Sequence, residues 1–474
     1  MENEFNFAQN VADALSDSQL RANFRFATDT LITRRSTVFA SPDETLHLRQ
    51  VGSAMKKSVL TRLPHLLEQF EARCLENGIH VHWAETAQDA NETILNILDS
   101  HSATKVVKGK SMASEEIHLN AFLEDQGKEV VETDFGEFII QLAGEPPSHI
   151  IVPAVHKNRK QIARVLADHV EGMDYTEDVD VMLAKVRKVL RDHFKTADVG
   201  ISGVNFGVAE TGTLCLVENE GNGRMCTTVP PVHIALMGIE KIVENVADIP
   251  AIYRLLCGSA TGQRITTYFN MISGPRKEDE QDGPKEVHLV LLDNGRSRIL
   301  GDPQLGDVLK CIRCGTCLNH CPVFTRIGGH AYGSTYPGPI GTILMPQLES
   351  LETKGVLATA SSLCDACSEA CPVMIPIPGI IRRMRDESYG NHDDPWLPGH
   401  GFKKSALESL IWRGWRWSQN CPALNRLMLK FLGKFGNAIP KVGPLKIWTR
   451  YRAKPKFGKR SLKDLVKKEG VRRE

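Results

Sequence analysis

At 474 residues, with 58 Lys and Arg against 57 Asp and Glu, the chain carries a net charge of only +1. That length supports two or three domains with substantial cores, and the balanced charge gives no overall field that would favour nucleic acid. No basic region followed by an apolar run opens the sequence, and stretches such as Ile150 to Val155 are too short to span a bilayer, so a cytoplasmic protein with at most peripheral membrane contact is expected.

Residues 1–50 are polar with intermittent apolar positions (Val11, Leu15, Phe24, Phe26), the pattern of short helices laid over a neighbouring domain. Ile79 to Glu85 alternates as a half-buried strand does, which places His80 and His82 on one side with no partner ligand visible in the sequence. From there to about residue 300, strand-like and helical patterns exchange regularly. Helices are expected over Asp89–Ile97, Met112–Gln126 and Asn158–Glu171. Strands are expected over Thr104–Val107, Lys128–Glu132, His149–Val155 and Glu286–Leu292, and Pro230–Asn245 reads as a strand followed by a helix. Such alternation implies an α/β domain over residues 51–300, built on a mainly parallel sheet covered on both faces.

Two places in this domain are candidate pocket residues. Lys108, Lys110 and Ser111 sit at a strand-to-helix turn where ammonium groups and a helix N-terminus would meet a carboxylate or phosphate, although the glycine spacing of a P-loop is absent. Glu210 and Thr211 precede the strand-like Leu214–Val217 in a Gly-rich stretch. They either border a pocket or belong to an ordinary hairpin.

Seven of the twelve cysteines fall in two groups further on. Cys311, Cys314, Cys317 and Cys321 follow the order CxxCxxCxxxCP, and Cys364, Cys367 and Cys371 repeat it without its first member, where Ser361 stands. Two-residue gaps bring three thiolates onto one loop that can grip an iron–sulfur cubane, and in two-cluster ferredoxins the fourth cysteine ligates the other cluster. Cys311, Cys314, Cys317 and Cys371 are therefore assigned to one [4Fe–4S] cluster, and Cys321, Cys364 and Cys367 to a second. For the fourth place of the second, a serine oxygen, another side chain, a water or a three-iron cluster all satisfy the spacing. Disulfides fit poorly in a reducing compartment, and zinc sites use four ligands rather than seven.

Gly328 to Gly341 holds five glycines and two prolines and is expected to be an irregular loop wrapping a cluster or meeting another subunit. The sequence after it divides into the rest of a ferredoxin-type region (residues 301–390) and a helical, Trp-bearing segment with a basic tail (residues 391–474). From Lys441 to Glu474 there are thirteen Lys or Arg against three Asp or Glu, and a partner-ordered or solvated tail is expected.

With "CIRCGTCLNHCPV", "GGHAYGSTYPGPIG", "SSLCDACSEACPV", "KGKSM" and "AETGTL" in place, the chain resembles the lactate utilisation protein B family over nearly its whole length. That family is the iron–sulfur subunit of the three-component bacterial L-lactate utilisation system. The resemblance implies an α/β domain similar to the CoA-transferase and ribose-isomerase class, then an α-helical two-cluster ferredoxin domain. It also implies the other subunits of that system as partners, oxidation of L-lactate to pyruvate, and L-lactate or pyruvate met directly or through a partner. No dinucleotide fingerprint is visible, so this chain is expected to carry electrons. Two rival readings remain. In one, the α/β domain is an enzyme or binding module for an acyl or sugar-phosphate ligand, with the clusters as redox sensor. In the other, the chain is an assembly scaffold.

Overall fold

Ten strands among the described residues organise the fold: β1 (Ile79–Ala84), β2 (Lys105–Gly109), β3 (Glu129–Glu132), β4 (Val199–Gly203), β5 (Phe206–Val208), β6 (Thr213–Glu218), β7 (Val232–Gly238), β8 (Ile242–Val243), β9 (Tyr268–Ile272) and β10 (Glu286–Leu292). The computed structural model describes residues 5–389, 397–399, 406–449, 453–458 and 462–470. Six strands form a wholly parallel sheet in the order β1-β10-β7-β4-β2-β3. Its central strands are apolar on both faces, as a sheet covered by helices on each side requires. The α/β expectation holds.

A second, four-stranded sheet in the order β8-β5-β6-β9 was not foreseen. It explains one correction. After β7 the expected helix is replaced by a single 3₁₀ turn, Ile239–Lys241, because the chain is drawn into β8, which pairs with β5 through Gly207 and Ile242; the helix begins only at Ile249.

Four other expectations change. His149–Val155 forms turns and no strand: Pro146, Pro147 and Pro153 remove backbone donors, and His149 Nδ1 collects the amides of Ile151 (3.0 Å) and Val152 (3.2 Å). The helix expected over Met112–Gln126 is two, Met112–Glu116 and Leu119–Asp125, broken where His118 adopts φ 52°. The Gly-rich stretch is irregular only at first, since the helix Gly338–Leu348 starts inside it with proline in its first turn, a position where the missing N–H costs nothing. The N-terminal helices, Phe7–Ser16, Ser18–Val38 and Pro42–Thr61, are also longer than expected.

Those N-terminal helices pack on the cysteine-bearing region. Phe24 is fully buried and meets Phe324 edge-on at 5.4 Å, and Phe7 lies 6.2 Å from Tyr332. Burying a Phe of this kind stabilises the fold by about 1.5–3 kcal/mol. Met1–Phe402 form one compact unit and Lys403–Glu474 another. The second contains the helices Ala406–Asn420 and Pro422–Phe435, on which Trp412, Trp415 and Trp417 are exposed. The shorter helices Gly443–Trp448 and Leu462–Glu469 occupy part of the basic tail, of which residues 450–452, 459–461 and 471–474 lie outside the described ones. No helix among the described residues is long and apolar enough to cross a membrane.

Candidate metal centre and adjoining cavity

The two cysteine runs fold as a repeat. After Cys311 the backbone turns left-handed at Arg313 (φ 59°) and Gly315 (φ 70°), and the short helix Thr316–Asn319 follows. After Ser361 the same conformations recur at Leu363 (φ 54°) and Asp365 (φ 69°), followed by the helix Ala366–Ala370. Left-handed residues so placed turn neighbouring N–H groups toward a common anion. Cys311 Sγ accepts the Arg313 amide at 3.4 Å, and Ser361 Oγ accepts the Leu363 amide at 3.1 Å. Ser361 thus occupies the backbone position of the first cysteine. Gly315 is needed where it stands, since a Cβ there would lie 3.0 Å from the His149 ring.

Cys311, Cys314, Cys317 and Cys371 line one small cavity beside Pro372. Burial, and then the charges of Cys311, Cys314, Cys371 and Cys367, push the Cys317 thiol well up. Cys367 is pushed up to about 12 by burial, then Cys321 and Cys364. Cys371 therefore sits among the thiols of the first run, and Cys321 lies within electrostatic reach of Cys367. Cys364 is exposed, whereas Cys367 and Cys371 are buried.

The chemistry of this donor set fits iron–sulfur groups. Tyr332 OH and Thr316 Oγ1 are buried with no acceptor among the described residues. Inorganic sulfide gives such donors something to bond, which a four-thiolate zinc site does not. The loop is also fastened from the N-terminal helices. Arg49 donates to Cys371 O (2.9 Å) and Ser368 O (3.0 Å), and Arg35 donates to Ala370 O (3.0 Å). Sequence reasoning found no chemistry in residues 1–50, and only arginines recurring beside apolar helix positions hinted at this role.

A larger cavity, about 750 Å³, opens at the carboxyl ends of β2, β4 and β7, where ligands of open α/β sheets commonly sit. Arg313 and Ile150 line both this cavity and the cysteine cavity. Lys241, which the sequence reading missed, also lines it, and has no hydrogen-bond or ion-pair partner among the described residues. Burial lowers its ammonium to about 8, against the pull of Glu240. Below lies a buried ion network. Glu240 meets Arg296 at 2.6 Å and Arg313 at 3.1 Å, while Arg296 meets Glu116 at 2.8 Å. Although burial opposes it, Arg296 and then Arg313 hold the Glu240 carboxyl at about 2.

The five candidate pocket residues separate. Lys110 and Ser111 line the cavity. Lys110 is turned there by a left-handed backbone (φ 60°) and is paired with Asp134, with Glu220 at 3.7 Å, and Ser111 caps the helix Met112–Glu116. Lys108 points elsewhere, fully buried between Glu132 (2.7 Å) and Glu115 (2.9 Å). Glu210 accepts the Val246 amide at 2.9 Å, and Thr211 lies in the turn from β5 to β6; neither lines the cavity. That turn is pressed against the helix Leu63–Glu76, so that a Cβ on Gly212 would meet the Arg73 backbone at 2.6 Å.

Residues 67–292 match the LUD domain, 307–375 the 4Fe-4S dicluster domain, and 383–471 the C-terminal domain of lactate utilisation protein B. Lactate utilization protein B of Shouchella clausii (strain KSM-K16) is 40% identical over 473 residues, 98% of each chain. The chain belongs to the lactate utilisation protein B family. The protein of that name from Oceanobacillus iheyensis is 43% identical over 426 residues, 88% of this chain and 86% of its own. A protein of Escherichia coli (strain K12) named Uncharacterized electron transport protein YkgF is 47% identical over 337 residues, 71% of this chain and 70% of its own. Membership in the family and the 4Fe-4S match agree with the iron–sulfur reading of the two cysteine runs.

Proposed function

We propose that this chain is the electron-transfer subunit of an assembly that oxidises L-lactate to pyruvate, working with the other subunits of the lactate utilisation system. The observation that carries the reading is the lining of one cavity by Cys311, Cys314, Cys317 and the distant Cys371. In this reading those four hold one iron–sulfur group, and Cys321, Cys364 and Cys367, with Ser361 in the first-cysteine position, hold the other. Lactate oxidation releases two electrons and two protons, and each bound group supplies one-electron carriage. The exposed Cys364 puts the second group on the side where an acceptor protein can approach.

The cavity beside Arg313 suits a small carboxylate. Among the described residues Lys241 Nζ lacks a partner, and Arg313 lines the same wall with two unpartnered nitrogens, so a carboxylate would be met by two cations one side chain away from the cysteine site. Arg313 is well matched to such an anion because its planar fork presents paired donors. Lys110 is held by its acidic neighbours and takes no part in this.

Adding L-lactate anaerobically to the cluster-loaded chain with its partner subunits should bleach the visible iron–sulfur absorbance. Lys241→Met should then raise the lactate concentration needed for half-bleaching about tenfold or more, the scale of one lost charge-assisted hydrogen bond. Absence of bleaching in the complete assembly would remove the reading. Tight binding of a CoA ester or sugar phosphate to the full chain would favour the rival, an α/β-domain enzyme with redox-sensing clusters.

A further inference from the structure

At the amino ends of the strands, on the edge opposite the large cavity, lies a group of histidines that the electron-transfer reading does not use. β1 and β10 are paired with His80 beside His288, so His80, His82, Glu286 and His288 share one face. Further along that face Ala84, Val290 and Leu292 are apolar core. His101, which ends the helix Ala87–Ser100, closes over the same spot.

The nitrogens are arranged for a ligand. His101 Nδ1 is engaged by Ile97 O at 2.9 Å, with Ser100 Oγ at 3.1 Å, which leaves Nε2 to face Glu286 Oε2 at 3.2 Å. His288 Nδ1 is engaged by His82 Nε2 at 3.1 Å. Its Nε2, on a residue only 7% exposed, makes no closer hydrogen bond among the described residues and lies 3.5 Å from the same Glu286 oxygen. All three ligand atoms fall within 4.8 Å of one another. Four ligands held tetrahedrally at 2.0–2.1 Å stand about 3.3 Å apart, so the two short separations match edges of such a tetrahedron. Imidazoles whose second nitrogen is fixed by a carbonyl or a neighbouring ring are the usual form of metal-ligating histidine.

We propose that His101 Nε2, His288 Nε2 and the Glu286 carboxylate form a binding site for a divalent metal ion of the zinc class, with water in the fourth position and His82 as the positioning residue for His288. A simple ion pair between His101 and Glu286 would account for those two side chains, but it would leave the buried His288 Nε2 only a long, 3.5 Å contact with the same carboxylate oxygen.

The test uses the full chain, purified anaerobically with its iron–sulfur groups loaded, given one equivalent of Zn²⁺ and desalted. About one retained zinc per chain is expected, with a zinc-edge absorption spectrum showing nitrogen and oxygen at about 2.0–2.1 Å and no sulfur shell near 2.3 Å. His101→Gln and Glu286→Gln, both at accessible positions, should each weaken zinc binding at least about tenfold, and His82→Gln by about tenfold to a hundredfold, with iron content unchanged. Failure to retain zinc, a sulfur shell, or zinc binding indifferent to both His101→Gln and Glu286→Gln would overturn the site.

Discussion

Ser361 stands where Cys311 stands in the other half of the repeat: each accepts, through its side chain, the amide of the residue two positions on, at 3.1 and 3.4 Å respectively. The backbone of the second run is therefore already shaped for the cysteine it lacks. Ser361→Cys should complete the set and slow the loss of iron and sulfide from the second site in air by roughly tenfold, since even hydrogen-bond partners of ligands change metal affinity on that scale. Timed iron and sulfide counts against the native chain check it. An unchanged or faster loss would show that position 361 does not face the metal group.

Tyr332 is fully buried, its hydroxyl has no partner among the described residues, and after burial its strongest influences are Cys321 and then Cys317. A hydroxyl so placed donates to sulfur and stabilises the reduced, more negative state. Tyr332→Phe should lower a midpoint potential by roughly 40 mV, the one-electron equivalent of a hydrogen bond worth about 1 kcal/mol, with little change in thermal stability. Redox titration followed by EPR reads the first, and anaerobic calorimetry the second. A potential that does not move would place the hydroxyl away from both groups.

Glu240 is the shared anion of Arg296 and Arg313, fully buried between the sheet edge and the first cysteine loop. Glu240→Gln leaves buried guanidinium charge uncompensated and should destabilise the chain by about 3–5 kcal/mol. It should also loosen the Arg313 loop, so that iron is lost on mild heating before the α/β domain unfolds. Parallel measurement of Tm and iron release distinguishes this from general instability.

His233 is fully buried beside Ser202 Oγ at 2.8 Å, and burial, helped by the charge of His288, lowers its imidazole to about 3. Its unfolded value is near 6.5. Because the folded value is the lower, the native state keeps this ring neutral while the unfolded chain gains a proton. Stability is complete above about pH 6.5 and falls as the pH drops toward 3. At pH 5 the loss from this one group is about 2 kcal/mol. Urea midpoints for His233→Gln should fall less steeply between pH 7 and 5 than those of the native chain. An equal slope would show that His233 is protonated in the fold.

What was legible in the sequence depended on how local the cause was. β1, β3 and β10 follow from runs of alternating or continuous apolar residues, and the cysteine runs carry their ligand spacing within a few residues. His149–Val155 has the same apolar content as a strand, yet the side chain of His149 holds the turn. Lys108 and Lys110 look equivalent on paper. A buried triad of partners claims the first, and a left-handed backbone swings the second into the cavity. Lys241 could not be found from its neighbours, because its position matters only once Arg313, more than seventy residues later, folds against the same edge. His80 and His82 showed no partners for the same reason, since His288 arrives from the last strand of the sheet.

If each metal group is built from both cysteine runs, low-temperature EPR of the dithionite-reduced chain shows it. Cys371→Ala should abolish the signal that Cys314→Ala abolishes, while Cys364→Ala should abolish the other, and iron and sulfide should fall by roughly half in each. If Cys371→Ala instead removes the same signal as Cys364→Ala and spares the one lost in Cys314→Ala, each run holds its own group and the crossed arrangement is wrong.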